Sequence, residues 1–422
     1  MSTANSLAAQ VHGEPAGFGE WRNGWPVVLA GLFGFILLAV GSLSMGAFMA
    51  PVEAAHGWTR SEYSLGLSVY ATVGVICSPL VGWLVSRLGV RRVAFAGSLL
   101  TGLTFALFAT ATASVAYWLF LWLLFGLANQ LIMTTVWSTA VAGSFTFNRG
   151  TAFSVIMVGS GLAALIAPVA ANYLIDQYDW RVAYAALGCG AGGLVALVCW
   201  FALASSDSAT VRSASRKGSV PGIRKAFLSA TFVRIALLSF ISYGLLMVLS
   251  LHLIPVLTAA SMNRDTAIVV AGSYGLPMII GKLIGGAALD RFSGRLVLTI
   301  CLSLLLISYA LLALPVLTID VAMLAVILFG LAFGGIAPGL PYLASRYFEL
   351  SHFSRIFGTL NGFYSLATAT CPLLASWVFD ERGSYHAFLI GAIPVIVVAM
   401  GLAVSLGRYP DPSQPPSPES RP

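Results

Sequence analysis

The chain has 422 residues, of which 58% are hydrophobic and 9% are charged. Because a soluble domain carries about 25% charged residues, this composition excludes a soluble enzyme or binding protein and indicates a protein that crosses a membrane many times. The formal net charge of +7 needs no nucleic-acid partner, since the basic residues fall in short loops between apolar runs.

Twelve apolar runs are each long enough to cross a bilayer as a helix, because about 20 residues span a hydrocarbon core of roughly 30 Å. A break rich in Ser, Arg and Lys, at 205–230, divides these runs into two sets of six. The sequence therefore predicts an all-α membrane protein with twelve transmembrane helices in two six-helix bundles. In chain order the predicted spans are 25–49, 63–86, 92–112, 115–142, 151–173, 182–204, 231–257, 267–289, 296–315, 320–344, 356–379 and 386–406.

The segments outside the bundles are polar. The first of them has no short apolar core before a cleavage site, so we expect it to remain on the chain and the first span to direct insertion. The last is rich in Pro and Ser, a composition typical of disorder. The predicted parts are a cytoplasmic N-terminal segment (1–24), an N-terminal bundle (25–204), a cytoplasmic linker (205–230), a C-terminal bundle (231–406) and a disordered cytoplasmic tail (407–422).

The loops on one side of the predicted spans carry most of the positive charge. Cytoplasmic loops of membrane proteins are enriched in Lys and Arg, so the sequence predicts that both termini are cytoplasmic. This arrangement, without a targeting segment, fits a bacterial inner membrane. The opposite side then holds the arginines Arg60, Arg181, Arg264 and Arg382.

Span 8 contains a charged residue, Lys282, in the middle of the otherwise apolar run Ala267–Leu289. Placing such a charge near the bilayer centre costs about 2.5–3.5 kcal/mol on insertion scales, so these residues usually face a cavity and have a function. A buried cation attracts an anion, and no acidic residue lies in the middle of a predicted span. The sequence therefore predicts that the anion is a substrate; the alternative is a structural lysine bonded to helix carbonyls.

Two loops at matching places in the two halves have similar sequences, GWLVSRLGVRR (Gly82–Arg92) and GAALDRFSGRL (Gly286–Leu296). Both resemble the GxLxDRxGRR signature of the major facilitator superfamily, although Ser86 stands where an aspartate is usual. The resemblance implies the major facilitator fold, a central cavity and alternating access. It also implies gating contacts at the helix ends for the loop residues Arg87, Arg91, Asp290, Arg291 and Arg295.

Longer segments resemble the monocarboxylate-transporter-like branch of that superfamily, in the order seen in its bacterial members. Among them are Phe147–Val169, with an arginine, small residues and a GSG step, and Arg346–Ser365. The resemblance places Lys282 where that family has an arginine thought to hold the substrate carboxylate. Lysine offers a compact point charge instead of a planar fork, so the sign of the bound charge is kept.

Further polar residues of the predicted spans are candidates for substrate contact or proton transfer. His252 precedes Pro255 in span 7, and because histidine side chains can take up and release a proton, it is with Lys282 a candidate for proton coupling. The alternative is a structural histidine near the outer mouth, and the remaining residues could equally form bonds between helices. These other predicted substrate contacts are Asn129, Tyr274, Tyr342, Asn361 and Tyr364, and Gln130 and Tyr243 are also polar residues of the predicted cavity.

The sequence thus predicts a secondary transporter of small organic monocarboxylates, coupled to protons, and not an enzyme. The alternative function is an exporter of lipophilic or drug-like compounds on the same fold, with Lys282 structural. We expect no cofactor and no metal, since the five cysteines lie inside apolar runs without metal-ligand spacing. The expected partners are an organic anion, protons and membrane lipids, and no nucleic acid.

Overall fold

The computed structural model of the chain describes residues 16–203, 220–407 and 409. Within these ranges the structure is helical and contains no strand. Twelve helices of the described chain are long and apolar enough to cross a membrane, which confirms the predicted all-α, twelve-span fold. Outside the described residues lie 1–15 of the predicted N-terminal segment, 205–219 of the predicted linker, and 408 and 410–422 of the predicted tail.

The N-terminal half contains spans 1 to 6. Several helices extend past the predicted limits, because apolar composition marks only the part that lies in the hydrocarbon and polar residues continue the helix beyond it. The helices are Ala16–His56 (span 1), Arg60–Leu88 (span 2), Val90–Ala106 with a short 3-10 turn at Leu107–Thr110 (span 3), Val115–Gln130 and Thr134–Ser144 (span 4), Arg149–Gln177 (span 5) and Trp180–Ala202 (span 6).

The C-terminal half contains spans 7 to 12, preceded by a short helix, Val220–Phe227, in the predicted linker. Its spans are Ala230–Ala259 (span 7), Arg264–Gly272 and Gly275–Arg291 (span 8), Gly294–Leu312 (span 9), Ile319–Tyr347 (span 10), Phe353–Arg382 (span 11) and His386–Ser405 (span 12).

Tyr409, which lies within the predicted tail, packs on the ends of spans 9 and 10. Its phenol oxygen accepts a hydrogen bond of 2.6 Å from the backbone N–H of Gly294. Its ring centroid lies 5.0 Å from that of Tyr347. Burial raises the pKa of the Tyr409 phenol, so the group is neutral at physiological pH. The chain just after span 12 therefore follows the surface of the C-terminal half.

Spans 4 and 8 are each built from two helices. In span 4 the break follows Gln130, and the backbone N–H groups of Leu131 and Ile132 donate to carbonyls three residues earlier at 3.0 and 3.1 Å. Non-helical backbone at membrane depth is tolerated where it is buried in protein or lines a cavity. The breaks therefore mark two places where polar side chains and the backbone come together inside the bundles.

Aromatic rings fill the core of the N-terminal half. The Phe108 ring lies 5.0 Å from that of Trp118 and 5.4 Å from that of Tyr184. The Trp118 indole also donates a 3.0 Å hydrogen bond to the Tyr63 carbonyl. Such ring pairs add about 0.5–1.5 kcal/mol each beyond the area they bury. This packing holds spans 2, 3, 4 and 6 together as one unit.

The two halves approach each other along two seams, span 5 against span 8 and span 2 against span 11. Glycines permit this approach, because a Cβ at Gly286 would overlap Ser154 and a Cβ at Gly82 would overlap the Ser354 carbonyl. Small residues allow the backbones of membrane helices to come close. Both contacts lie at the end of the molecule that we call the arginine-rich end, which carries Arg87, Arg91, Arg149, Arg291, Arg346 and Arg355.

Candidate functional site

Lys282 lies at the seam between spans 5 and 8 and has only 3% of its surface exposed. Its ammonium donates a 3.0 Å hydrogen bond to the Met157 carbonyl and a 2.9 Å hydrogen bond to the Ser160 hydroxyl. Both partners belong to span 5, in the other half of the molecule. Because both are neutral oxygen atoms, these described hydrogen bonds leave the charge of the ammonium without a compensating carboxylate, which is a costly arrangement for a buried ion.

The position of the ammonium is set by its neighbours on two helices. Ser160 donates its own hydroxyl hydrogen to the Met157 carbonyl at 2.9 Å, so its oxygen is oriented to accept from Lys282. On the other side, Gly334 of span 10 lies so close to the Lys282 backbone that a Cβ there would overlap it. The lysine is therefore held between spans 5 and 10 with its charged end directed at span 5.

A second group of polar side chains lies at the opposite seam, between spans 2 and 11. The Tyr70 hydroxyl donates to the Asn129 side-chain oxygen at 2.8 Å. The Asn361 amide donates to the Thr135 hydroxyl at 2.6 Å and so joins span 11 to span 4. The Tyr364 ring stands edge-on to another ring, with centroids 4.1 Å apart. Three predicted contact residues, Asn129, Asn361 and Tyr364, thus come together here.

The ring that Tyr364 meets belongs to Tyr243 of span 7. The Tyr243 hydroxyl lies 3.5 Å from the Ala337 carbonyl of span 10, at the long limit of a hydrogen bond. Ala337 is one helical turn from Gly334, which touches the Lys282 backbone. Tyrosine rings and span 10 therefore connect the lysine seam with the opposite seam.

His252 does not join either group. One ring nitrogen, Nδ1, lies 3.1 Å from the Tyr385 hydroxyl, and the other, Nε2, lies 3.2 Å from the Pro372 carbonyl. A carbonyl only accepts, so we assign the hydrogen to Nε2 and let Tyr385 donate to Nδ1. Both nitrogens are then satisfied within the C-terminal half, as the structural alternative for this residue requires.

Tyr274 and Tyr342 are also placed away from the ammonium. Tyr274 lies at the break of span 8, where its ring packs against Phe329 with centroids 5.5 Å apart. Tyr342 is buried beneath the Arg346 guanidinium, which lies 5.9 Å from its ring centroid. It follows Gly334 by about two helical turns, which corresponds to roughly 12 Å along span 10, and so belongs to the arginine-rich end.

At the arginine-rich end, Asp290 holds the two halves together. Its carboxylate accepts hydrogen bonds from the backbone N–H groups of Gly150 (2.6 Å) and Thr151 (2.8 Å) and from the Thr151 hydroxyl (2.7 Å). These N–H groups begin span 5 and have no partners inside the helix. A carboxylate at a helix start also interacts favourably with the helix dipole. Asp290 therefore acts as a cap that crosses from one half to the other.

The arginines of the two repeated loops lie at helix ends, and their gating role stays a prediction. The contacts described for Arg87, Arg91 and Arg295 lie within their own halves: above the Trp83 ring, at Trp200, and at the Leu406 carbonyl. Arg291 is exposed.

Two other arginines reach across. Arg149 donates to the Phe145 carbonyl of its own half and, at 3.3 Å, to the Ser345 carbonyl of span 10. Arg355 of span 11 donates to the Ser86 hydroxyl at 2.9 Å. Sequence reasoning missed both, although the repeat contained a signal, since each arginine stands at the start of a span that packs on a repeated loop.

Glu20 is a further residue that the sequence did not indicate. Its carboxylate, on span 1, accepts hydrogen bonds of 2.9–3.1 Å from the backbone N–H groups of Thr146, Phe147 and Asn148. These residues lead directly into span 5. The start of span 5 therefore receives one carboxylate from its own half and one, that of Asp290, from the other half.

The repeated loop has Asp290 at the span 5–8 seam and Ser86 at the span 2–11 seam. This difference predicts that Ser86→Asp strengthens the contact at the span 2–11 seam. A carboxylate at position 86 would lie beside Arg355 and near the first turn of span 11. Burial lowers the pKa of His352, so that residue adds no positive charge to the helix start at neutral pH. We expect the form closed at the arginine-rich end to gain about 0.5–2 kcal/mol.

The population of this form can be followed as the distance between spin labels on Phe147→Cys and Phe292→Cys, two exposed positions in opposite halves. Ser86→Ala, which removes the hydroxyl and adds no charge, should shift the distances in the opposite direction. If the aspartate variant broadens or lengthens the distances, the described contact does not stabilise the closed form.

The described residues contain no group of three or more His, Cys, Asp or Glu side chains that could hold a metal ion. What the site offers instead is a buried ammonium, tyrosine rings and amide groups between two bundles. These groups can bind an anion and an organic body, and the seams can open and close around them.

Comparison with known proteins agrees with this arrangement. The sequence model of the Major Facilitator Superfamily matches residues 31–268 and 235–422. An uncharacterized MFS-type transporter, YcxA of Bacillus subtilis, is 21% identical over 86% of this chain and 90% of its own length. Monocarboxylate transporter 12 of Xenopus laevis is 22% identical over 92% of this chain and 90% of its own length.

The fold is also that of solved transporters. The crystal structure of the human organic anion transporter MFSD10 (TETRAN) superposes with a TM-score of 0.70, covering 92% of this chain and all of that one, at 18% sequence identity. At this identity the likeness concerns the fold alone. It supports the arrangement of two six-helix bundles that meet along two seams.

Proposed function

The chain belongs to the Major Facilitator Superfamily, and on this premise we propose that it carries small organic monocarboxylates across the membrane by alternating access, coupled to protons. Members of this family are membrane transporters of small molecules and not enzymes. The observation that carries the proposal is the buried Lys282 ammonium, whose hydrogen bonds go to the neutral Met157 and Ser160 oxygens.

A carboxylate suits this ammonium better than its present partners. The ammonium already donates to Met157 and Ser160, but only a carboxylate adds the attraction between opposite charges, which is strong in the low dielectric of a buried site and compensates the buried positive charge. The single cation favours one anionic group per substrate. The name of one sequence relative, monocarboxylate transporter 12, supports the same class of substrate.

Substrate binding would also weaken the hydrogen bonds by which Lys282 joins the two halves. A carboxylate that bonds to the Lys282 ammonium competes with Met157 and Ser160 of span 5. The halves then lose a bond at mid-depth, while Asp290 still holds the arginine-rich end. A ligand shifts a conformational equilibrium by its difference in affinity for the two states, so substrate binding favours the rocking movement that opens this end.

The proposal includes the group that carries the proton and the side of the membrane that each end of the protein faces. Lys282, His252 or the acid itself would carry the proton, because each can exchange one; His252 would do so at its contacts with Tyr385 and Pro372, apart from the two polar groups. We propose that the arginine-rich end faces the cytoplasm, in accordance with the bias of cytoplasmic loops toward positive charge. A bacterial inner membrane, with both termini inside, is the corresponding location, and the basic linker would lie near anionic lipid headgroups.

The proposal predicts uptake of labelled monocarboxylates into proteoliposomes that contain the purified protein. A panel of lactate, pyruvate, acetate, benzoate and phenylacetate should include at least one acid that accumulates above protein-free vesicles. An inward proton gradient should raise its initial rate of uptake several-fold, because the acid anion and a proton would cross together and the gradient would then drive both. Collapse of the gradient with a protonophore is the control.

Three outcomes separate the alternatives. Uptake that is independent of the proton gradient would exclude proton coupling but still support transport of carboxylates. Absence of uptake for every acid, together with thermal stabilisation of the purified protein by lipophilic cationic dyes, would replace the proposal with the exporter of lipophilic compounds. Stabilisation by acids and not by dyes would support the proposed site.

A further inference from the structure

Two neighbouring amide side chains, Asn129 and Gln130, have buried polar atoms that the described protein does not satisfy. Asn129 is 0% exposed and Gln130 is 2% exposed. The Asn129 side-chain nitrogen and the Gln130 side-chain oxygen have no hydrogen-bond partner among the described residues. Buried polar groups in proteins are nearly always hydrogen-bonded, so an exception needs an explanation. Asn129 and Gln130 are called the amide pair below.

The amide pair lies immediately before the break in span 4 and faces span 2. Asn129 accepts from Tyr70 at 2.8 Å, and the Gln130 amide nitrogen lies beside Gly74. Tyr70 and Gly74 are one helical turn apart, so the two amides occupy successive levels of the same face. The Ser365 hydroxyl of span 11 also lies beside Gly74. The pair therefore sits at the seam where the two halves meet.

Lys282 and the amide pair lie at opposite seams. The ammonium bonds to span 5, whereas the amide pair contacts span 2 and faces span 11. Span 10 and the rings of Tyr243 and Tyr364 line the interior that separates them. Because the sites belong to helices that are not neighbours, and neighbouring helix axes are about 8–10 Å apart, the two sites are separated by about 10 Å or more. A short acid bound to the ammonium could not reach the amides.

We propose that the amide pair is a second subsite, which binds a hydroxyl group at the end of the substrate remote from its carboxylate. The Asn129 nitrogen would donate to the hydroxyl oxygen, and the hydroxyl hydrogen would be donated to the Gln130 oxygen. A hydroxyl placed between the two side chains would satisfy both unpartnered atoms. The tyrosine rings between the sites favour a flat, aromatic body. The preferred substrate class is an aromatic monocarboxylate with a distal hydroxyl, an inference that rests on the proposed function.

The wild-type protein tests the inference without any substitution. Binding of 4-hydroxyphenylacetate, phenylacetate and 4-methylphenylacetate is measured calorimetrically on the purified protein in lipid nanodiscs. These acids share a carboxylate and a ring and differ only at the distal position. We expect the hydroxylated acid to bind about tenfold more tightly than the other two, because a site built for a hydroxyl rejects analogues that lack it. Lactate and propionate are too short to reach the amide pair from Lys282, so the lactate hydroxyl should gain no affinity from it.

Two variants assign the preference to a residue. Gln130→Met has nearly the same shape without the polar oxygen, and Gln130→Leu serves if the methionine variant does not fold. Either should reduce the ratio of affinities for 4-hydroxyphenylacetate and phenylacetate to within about twofold. The matched control is Ser308→Ala, because Ser308 of span 9 is also fully buried with an unpartnered hydroxyl among the described residues. It should keep the wild-type ratio.

The outcomes separate this inference from the proposed function. Equal affinity of the wild type for the hydroxylated and unsubstituted acids overturns the second subsite and leaves the carrier of acids intact. A preference that persists in both Gln130 variants overturns its assignment to the amide pair. Failure of every acid to bind, long or short, overturns the proposed function and this inference with it.

Discussion

Replacing Lys282 with glutamine should reduce carboxylate uptake by about 100-fold or more. Glutamine is one bond shorter than lysine and keeps an N–H donor directed at Met157 and Ser160, and Asp290 still joins spans 5 and 8, so this seam should stay closed. The variant lacks the charge that would hold the carboxylate. Removing one partner of a buried, hydrogen-bonded charge pair costs about 2–5 kcal/mol, and each 1.4 kcal/mol is a factor of ten in affinity.

The measurement is the initial rate of uptake in proteoliposomes that contain equal amounts of folded protein. Lys225→Gln is the matched control, since Lys225 is exposed on the short helix before span 7 and its loss removes the same charge elsewhere. Lys282→Arg should retain part of the activity, because arginine also binds carboxylates. Wild-type rates in Lys282→Gln would show that the ammonium does not bind the substrate.

The second large effect is expected from Asp290→Asn. The asparagine keeps the shape of the side chain but loses the charge, and one of its two polar atoms becomes a donor that faces the N–H groups of Gly150 and Thr151. Hydrogen bonds to charged groups contribute about 1.5–3 kcal/mol each. We therefore expect the form closed at the arginine-rich end to lose about 2–4 kcal/mol, which changes its population relative to the open form by tens- to several hundred-fold.

Spin labels on Phe147→Cys and Phe292→Cys report this change as a population of longer distances. Asp320→Asn is the control, because Asp320 is an exposed carboxylate in the first turn of span 10 and lies far from Asp290. Identical distance distributions in Asp290→Asn and the wild type would mean that other contacts, such as that of Arg149 with Ser345, carry the closure.

The twelve spans could be predicted because the thickness of the membrane imposes a length on every apolar run. The breaks in spans 4 and 8 could not be predicted in the same way. Around Leu131, hydropathy does not distinguish a continuous helix from two shorter ones, and around Ser273 the span prediction passed over a local signal, Gly272, Gly275 and Pro277. The breaks depend on which helices pack beside them, which is a property of the tertiary structure.

The burial of Lys282 could also be predicted, since a charge within an apolar run has few other places to go. Its partner could not, although Ser160 stands in the GSG step that contributes to the family resemblance. The bond depends on how closely spans 5 and 8 approach, and that is set by glycine contacts such as Gly150 with Gly286. The partners of the loop arginines were missed for the same reason, because composition shows how much charge lies at one end and not which helix each side chain meets.

Ser86, where the repeated loop of the other half has Asp290, gives the molecule a direction of opening. At the span 5–8 seam the Asp290 carboxylate accepts three hydrogen bonds, whereas the loop contact described at the span 2–11 seam is one hydrogen bond, from the Arg355 guanidinium to the Ser86 hydroxyl. On the strength of these loop hydrogen bonds we expect the span 2–11 seam to separate first at the arginine-rich end, with the span 5–8 seam as the axis of rotation. A bound substrate would then leave beside span 11. The contact of Asp290 with the start of span 5 would be the last to break and the first to reform in the next cycle.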